Sequence, residues 1–137
     1  MVMDMNQQFI NCRKGFTLIE LLVVLAIITS LMMLAVPKYF ASIDYAKEVT
    51  LQQNIKIIRE TIDKYYGDTG EYPESLQQLV DKRYLKSLPV DPITEKTDSW
   101  IITSPPSDPT NKIKGKVYDI KSGAVGKTLS GVSYDSF

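Results

Sequence analysis

The sequence contains no histidine and only one cysteine, Cys12, among its 137 residues. Histidine is the commonest general base at neutral pH and the commonest transition-metal ligand, so its absence argues against most hydrolytic and metalloenzyme chemistry. A single cysteine excludes an intrachain disulfide and a thiolate metal cluster. Carboxylate pairs remain, Asp63 with Asp68 or Asp91 with Glu95, but turn and surface roles explain them. We therefore expect that the protein is not an enzyme.

An excess of charge of either sign is also lacking. Sixteen Lys and Arg residues balance sixteen Asp and Glu residues. Without net charge there is no long-range field to attract a polyanion, so we do not expect nucleic acid as a partner. The length allows one small domain, and less once the first forty residues are assigned to another role.

The longest apolar run extends from Phe16 to Val36 and carries one charged residue, Glu20. A helix needs about 20 apolar residues to cross a bilayer, so this run is long enough to span one. A cleaved secretory signal would have a shorter apolar core followed by a small-residue cleavage site, which is not seen here. Arg13 and Lys14 precede the run and Lys38 follows it, which favours a cytoplasmic N-terminus.

Glu20 is the costly residue of this apolar run. A carboxylate at the centre of a spanning helix costs roughly 2.5 to 3.5 kcal/mol, and less near an end, so such a residue usually faces a partner or water. Two explanations follow from hydropathy alone. Either Glu20 reaches the aqueous head-group layer, or it meets an opposite charge on another molecule.

The segment RKGFTLIELLVVLAIITSLMMLAVP, from Arg13 to Pro37, resembles the type IV prepilin signature. Type IV pilins and the pseudopilins of type II secretion systems share this signature. The resemblance implies that a prepilin peptidase cuts between Gly15 and Phe16 and that the new amine of Phe16 is methylated. It also implies that Glu20 meets the Phe16 amine of a neighbouring subunit during fibre assembly.

Beyond the apolar run the helical pattern continues. Apolar residues recur at steps of three and four, which predicts one buried helix face; they are Leu51, Ile55, Ile58, Ile62 and Tyr65. Pro37 removes one helical hydrogen bond and predicts a bend. Gly67 and Gly70 predict the end of the helix.

The remaining segments predict one short helix and a small sheet. A short amphipathic helix is predicted in SLQQLVDKRYL, and strands are predicted in SWIIT and GKVYDI, with a third short strand near the C-terminus. Trp100 and Tyr118 are predicted to be packing residues. The fold class is therefore α+β: a long kinked N-terminal helix packed on a small antiparallel β-sheet, as in the type IV pilin-like fold.

The run from Tyr66 to about Gly126 is similar to the major pseudopilin of type II secretion. That resemblance implies a calcium ion in the C-terminal loop. Calcium prefers six to eight oxygen ligands, with carboxylates among them. Here Val125 and Ser130 stand where acidic residues are expected, and Asp119 and Asp135 are the carboxylates nearby. We therefore expect no metal or other cofactor. We expect the tail to be held instead by glycine turns and by burial of either Tyr134 or Phe137.

Together with the apolar run, the resemblance implies three regions: a cleaved leader at 1–15, a transmembrane and assembly half-helix at 16–37, and a periplasmic head at 38–137. The predicted function is a structural subunit of a pseudopilus in type II secretion. The resemblance implies a helical homo-oligomer in the inner membrane and periplasm. Its further partners would be other pseudopilins, the prepilin peptidase and an inner-membrane assembly platform. Two alternatives stay open: a type IV pilus pilin for adhesion, motility or DNA uptake, and a single-span protein that binds a ligand.

Overall fold

The computed structural model of the chain describes residues 15–107, 109 and 113–137. Its elements are helix α1 (Leu18–Thr69), helix α2 (Leu76–Asp81), strand β1 (Ile101–Thr103), strand β2 (Asp119–Lys121) and a 3₁₀ turn at Tyr134–Ser136. The chain divides into two compact units, residues 1–39 and 40–137. Most of the predicted leader, with Cys12, Arg13 and Lys14, lies outside the described residues.

The described part of the first unit is the start of helix α1. Helix α1 is the one helix among the described residues that is long and apolar enough to cross a membrane. Its most apolar 18-residue segment has a mean hydropathy of 2.6, and none of that segment is buried. An apolar surface of this length is unfavourable in water, because burial of such surface is what stabilises a soluble fold. The length and composition therefore agree with the predicted spanning segment.

The second unit contains the hydrophobic core. The predicted stripe on helix α1 is confirmed, since Leu51, Ile58 and Ile62 are 0% exposed and Ile55 and Tyr65 are nearly as buried. Helix α2 adds Leu76 and Leu79 to the same cluster, and the sheet region adds three more residues, Trp100, Val117 and Ile120. One face of the helix therefore holds the head together.

The end of helix α1 and the start of helix α2 follow local signals. Gly70, directly after the last helical residue, has φ +74°, and its N–H donates to the Tyr66 carbonyl at 2.8 Å. This is the left-handed helix end that glycine adopts at low cost. Gly67 lies inside the helix, so only one of the two predicted stop residues ends it. Ser75 caps helix α2 by accepting a hydrogen bond from the Gln78 N–H at 3.3 Å.

The two predicted strands pair in an antiparallel sheet, with Ile102 opposite Ile120. Strand β1 is exposed along its whole length, whereas Ile120 in strand β2 is buried. The sheet therefore joins the core through β2 and through Trp100, the residue before β1. The indole N–H of Trp100 donates to the Pro89 carbonyl at 3.0 Å, which confirms its packing role.

Three expectations about the head need correction. The predicted third strand is replaced by the 3₁₀ turn at Tyr134–Ser136 and by a single bridge between Lys127 and Ser133, because the glycine-rich tail turns too tightly to pair as a strand. Tyr118 is 44% exposed, with its ring edge against Tyr72, so it is only partly a packing residue. The i,i+4 spacing of Arg59 and Asp63 predicts an ion pair along the helix, but Arg59 pairs instead with Asp119, at 2.6 Å.

Candidate functional site

The candidate site is the start of helix α1, where the predicted processing and assembly residues lie. Thr17 precedes the first helical residue, and its hydroxyl accepts a hydrogen bond from the Glu20 N–H at 3.2 Å. Its carbonyl accepts the Leu21 N–H at 3.2 Å. Thr17 and Glu20 therefore have the spacing of a capping box, in which a threonine caps the helix and a glutamate stands three residues later.

This capping position gives Glu20 a structural role that the sequence interpretation missed. A carboxylate in the first turn is stabilised by the partial positive charge of the helix N-terminus, typically by about 0.3 to 1 kcal/mol. The signal was present in the sequence as Thr17-Leu18-Ile19-Glu20. Glu20 itself is exposed, and within the described part of the chain its carboxylate has no ion-pair partner. Its charge therefore remains available to another molecule.

The predicted processing site precedes the helix. Gly15 and Phe16 lie outside regular secondary structure, and Phe16 is 79% exposed. Among the described residues, no heavy atom lies within 4 Å of the position that a Cβ at Gly15 would occupy. Both residues are exposed, and accessibility is a requirement for cleavage by a protease.

The first part of helix α1, on both sides of Glu20, presents apolar side chains to its surroundings. The most exposed of the large ones are Leu18, Met33 and Leu34, at 73 to 80% exposure. The two hydroxyl residues of this stretch bond back to the helix: Thr29 donates to the Leu25 carbonyl at 2.7 Å and Ser30 to the Ala26 carbonyl at 2.8 Å. Because these hydroxyls are satisfied locally, they add little cost in an apolar layer.

Pro37 lies within helix α1, which continues on both sides of it. Proline removes one backbone donor, so the helix has a weakened position there. The bend predicted at Pro37 stays a prediction.

The carboxylate pairs considered for catalysis have other partners. Asp68 accepts a hydrogen bond from the Tyr84 hydroxyl at 2.9 Å, and this bond raises the pKa of Tyr84. Glu95 pairs with Lys47 at 3.3 Å. Asp91 is fully buried, and its carboxylate accepts hydrogen bonds from the Ser122 hydroxyl at 2.5 Å and from the Ile93 N–H at 2.8 Å. These contacts give Asp68, Asp91 and Glu95 structural roles.

A second buried carboxylate, Glu48 on helix α1, was also missed. It is 7% exposed and contacts the C-terminal tail. The signal was present in the sequence, since Glu48 stands three residues before Leu51 and therefore lies on the same helix face as the buried stripe. Asp91 had a weak signal, since it stands between prolines in the loop sequence PVDP. Across the described ranges, no group of three or more Asp, Glu, His or Cys residues is placed to hold a metal ion.

The comparison with protein families matches residues 10–36 to the family described as the prokaryotic N-terminal methylation motif. This range contains Gly15, Phe16 and Glu20. The chain is 38% identical over 96 residues to type II secretion system core protein G of Pseudomonas aeruginosa, with 58% of this chain and 68% of that protein covered. The same-named protein of Escherichia coli is 30% identical over 96 residues, with 58% and 66% covered.

Pilins match over more of the chain. The type IV major pilin protein PilE1 of Neisseria gonorrhoeae is 31% identical over 129 residues, with 88% of this chain and 61% of that protein covered. No solved structure matches the chain. The methylation motif, the α+β architecture and these relatives together show that the chain belongs to the type IV pilin-like family, which includes pilins and the core protein G pseudopilins.

Proposed function

We propose that this protein is a structural subunit of a pseudopilus in type II protein secretion, and not an enzyme. The proposal rests on the start of helix α1. There the chain leaves a long apolar surface exposed, beginning beside Phe16 and Glu20. An apolar helix with one charge needs lipid before assembly and other helices after it. The similarity to core protein G of Pseudomonas aeruginosa favours the secretion branch of the family.

Glu20 selects the register of assembly in this proposal. Hydrolysis of the peptide bond between Gly15 and Phe16 creates an ammonium group on Phe16. In a layer of low dielectric, an opposite charge offsets the desolvation cost that each group would bear alone. The Phe16 amine of one subunit therefore favours a position beside the Glu20 carboxylate of its neighbour, which aligns each incoming helix.

The regions and partners follow from the same proposal. Residues 1–15 are the leader, residues 16–37 anchor the subunit in the inner membrane, and residues 38–137 form the periplasmic head. The partners are further copies of the chain, other pseudopilins, the prepilin peptidase and an inner-membrane assembly platform. Growth of the fibre helps to export folded proteins.

A type IV pilus pilin is the second candidate, favoured by the match to the Neisseria gonorrhoeae pilin over 88% of this chain. The two candidates share processing and assembly and differ in the machinery that uses the fibre. Expression in a strain that lacks its own core protein G separates them. Restored secretion supports the pseudopilin, whereas surface pili without restored secretion support the pilin.

The shared part of the proposal is tested by the intact mass and N-terminal residue of protein purified from membranes, with and without a co-expressed prepilin peptidase. We expect a chain that begins at methylated Phe16 only when the peptidase is present. A chain that keeps residues 1–15 beside an active peptidase would contradict the proposal. It would leave the third reading, an ordinary single-span protein with a ligand-binding head.

A further inference from the structure

The C-terminal tail of this chain does not fit the calcium site that its resemblance to major pseudopilins implies. Calcium needs several oxygen ligands with carboxylates among them. Asp119 is occupied by Arg59, whose Nε lies 2.6 Å from Oδ1 and whose Nη2 lies 3.4 Å from Oδ2. Asp135 is the one other carboxylate from 122 to 137, and no acidic group that could hold a metal is found in the described ranges.

The tail nevertheless has a defined conformation. It turns between Thr128 and Val132, and the Thr128 N–H donates to the Val132 carbonyl at 2.8 Å. The Thr128 hydroxyl accepts the Val132 N–H at 3.0 Å, and Gly131 adopts φ +84° within the turn. Glycine adopts this left-handed conformation without steric cost. The turn therefore closes on itself through its own backbone and hydroxyl groups.

One carboxylate of helix α1 connects this turn to the head. Glu48 Oε1 accepts the Leu129 N–H at 2.7 Å and the Tyr134 hydroxyl at 3.4 Å. The residues are 81 and 86 positions apart in sequence, so these two bonds join the helix to the far end of the chain. Burial, with Glu48 beside the ring, raises the pKa of Tyr134, which keeps its hydroxyl protonated as a donor.

The burial of Glu48 makes this contact consequential. A buried charge is costly unless it is paired or well hydrogen-bonded, and a bond to a charged acceptor is stronger than one between neutral groups. Glu48 has no ion-pair partner within the described ranges. The hydrogen bonds to Oε1 are therefore the main interactions that offset the cost of burying the Glu48 charge. Glu48 also lines an open cavity of about 430 Å³, together with Gln52 and Leu129.

We propose that Glu48 is a metal-independent anchor for the C-terminal tail, a helix carboxylate that holds the tail turn where the resemblance to major pseudopilins implies a cation. The anchor fixes the turn from Thr128 to Val132 against helix α1 through the Leu129 N–H and the Tyr134 hydroxyl. Tail order in this chain then depends on residue 48 and not on calcium. Because Glu48 and the tail both lie in the head, the anchor does not depend on the proposed role in assembly.

The test is limited trypsin digestion of the full chain in detergent, followed at the bond after Lys127. Lys127 is exposed but Thr128 is buried, so cleavage requires the turn to open. We expect Glu48→Ala to speed this cleavage about tenfold or more, since loss of a hydrogen bond to a charged group changes an opening equilibrium by at least that factor. Glu48→Gln keeps an oxygen acceptor but loses the charge, so we expect it to speed the cleavage less. Tyr134→Phe removes the weaker bond and is expected to have a smaller effect.

Glu60→Gln is the matched control, because Glu60 lies on the same helix with its side chain 65% exposed. It is expected to leave the cleavage rate unchanged. Wild-type cleavage is expected to be equal in excess calcium and in excess chelator. Equal cleavage of the wild type and both Glu48 variants would overturn the anchor. Protection of the wild type by calcium would also overturn it, because the tail would then be held by a cation.

If the Glu48 variants fail to fold, hydrogen exchange in the wild type decides the matter. The anchor predicts that the Leu129 amide exchanges at least about tenfold more slowly than the exposed Ser130 amide, because its N–H is held by a buried carboxylate. Fast exchange at Leu129, or slow exchange only with calcium present, would contradict the anchor.

Discussion

Asp91 stabilises the head by joining two loops. Its Oδ1 accepts the N–H groups of Ile93 and Thr94 at 2.8 and 3.2 Å, and its Oδ2 accepts the Ser122 hydroxyl. The first two bonds shape the loop after Pro89, and the third holds that loop to the residue after strand β2. Removal of the carboxylate therefore leaves the buried Ser122 hydroxyl and two half-buried N–H groups without this acceptor.

We expect Asp91→Ala to lower the free energy of unfolding by about 3 kcal/mol, because lost bonds to a charge and unpaired buried donors both count against the fold. The measurement is thermal unfolding of the full chain in detergent, followed by fluorescence of Trp100, the single tryptophan. Asp98→Ala, at an exposed position in the same region, is the control and is expected to change stability by less than about 0.5 kcal/mol. An equal midpoint for both variants would contradict the role of Asp91.

Tyr134 makes the stability of the head sensitive to high pH. Burial comes first among the causes that raise its pKa above the ordinary value of 10.0, followed by the Glu48 charge and the hydrogen bond to Glu48. Above pH 10 the unfolded chain loses this proton more readily than the folded chain, so stability falls as the pH rises through the pKa of the folded state.

We therefore expect the unfolding midpoint of the wild type to fall between pH 9 and pH 11, and Tyr134→Phe to reduce that fall, because phenylalanine has no proton to lose. Tyr45→Phe, at an exposed position, serves as the control. A fall of the same size in wild type and Tyr134→Phe would contradict this assignment.

Residue roles were predictable where a local pattern specifies them. The packing role of Trp100 was predicted from its apolar context, whereas the cap at Thr17 was missed although its spacing to Glu20 is visible in the sequence. The partners of Glu48 and Asp91 were not predictable, because each lies far along the chain: Leu129 in one case and Ser122 in the other. Long-range partners of a single charge leave no periodic signal.

At the scale of elements, helix α1 places two neighbouring isoleucines in different environments. Ile58 is 0% exposed within the core, whereas Ile57 is 36% exposed on the outer face. We expect Ile58→Ala to cost about 3 kcal/mol and Ile57→Ala less than about 1 kcal/mol, because only the first leaves a cavity in packed surroundings. The Trp100 unfolding midpoint measures both. Similar losses for the two variants would contradict the assigned helix face.

Element positions followed from the sequence because helix and strand periodicities differ. The stripe from Leu51 to Tyr65 and the paired segments at Ile102 and Ile120 were predicted correctly. The C-terminal segment was not, since three glycines and several hydroxyl residues allow many backbone paths. The contact with Glu48 then selects a turn in place of a third strand.

At the scale of the whole molecule, the chain joins a head with its own core to an apolar segment without one. The head is explained by contacts within the chain. In the proposed function, the apolar segment and Glu20 are explained by contacts with other copies, which a single sequence predicts only through the charge that it leaves unpaired.

The most direct test of that account is the yield of sedimentable fibres formed by wild type, Glu20→Gln and Thr17→Ala in cells that carry the assembly machinery. Glu20→Gln removes the charge, whereas Thr17→Ala removes the helix cap and keeps the charge. N-terminal mass and membrane fractionation verify that each variant is processed and inserted. The account predicts fibres from wild type and Thr17→Ala, and a processed, membrane-bound Glu20→Gln that does not assemble. Normal fibres from processed Glu20→Gln would contradict it.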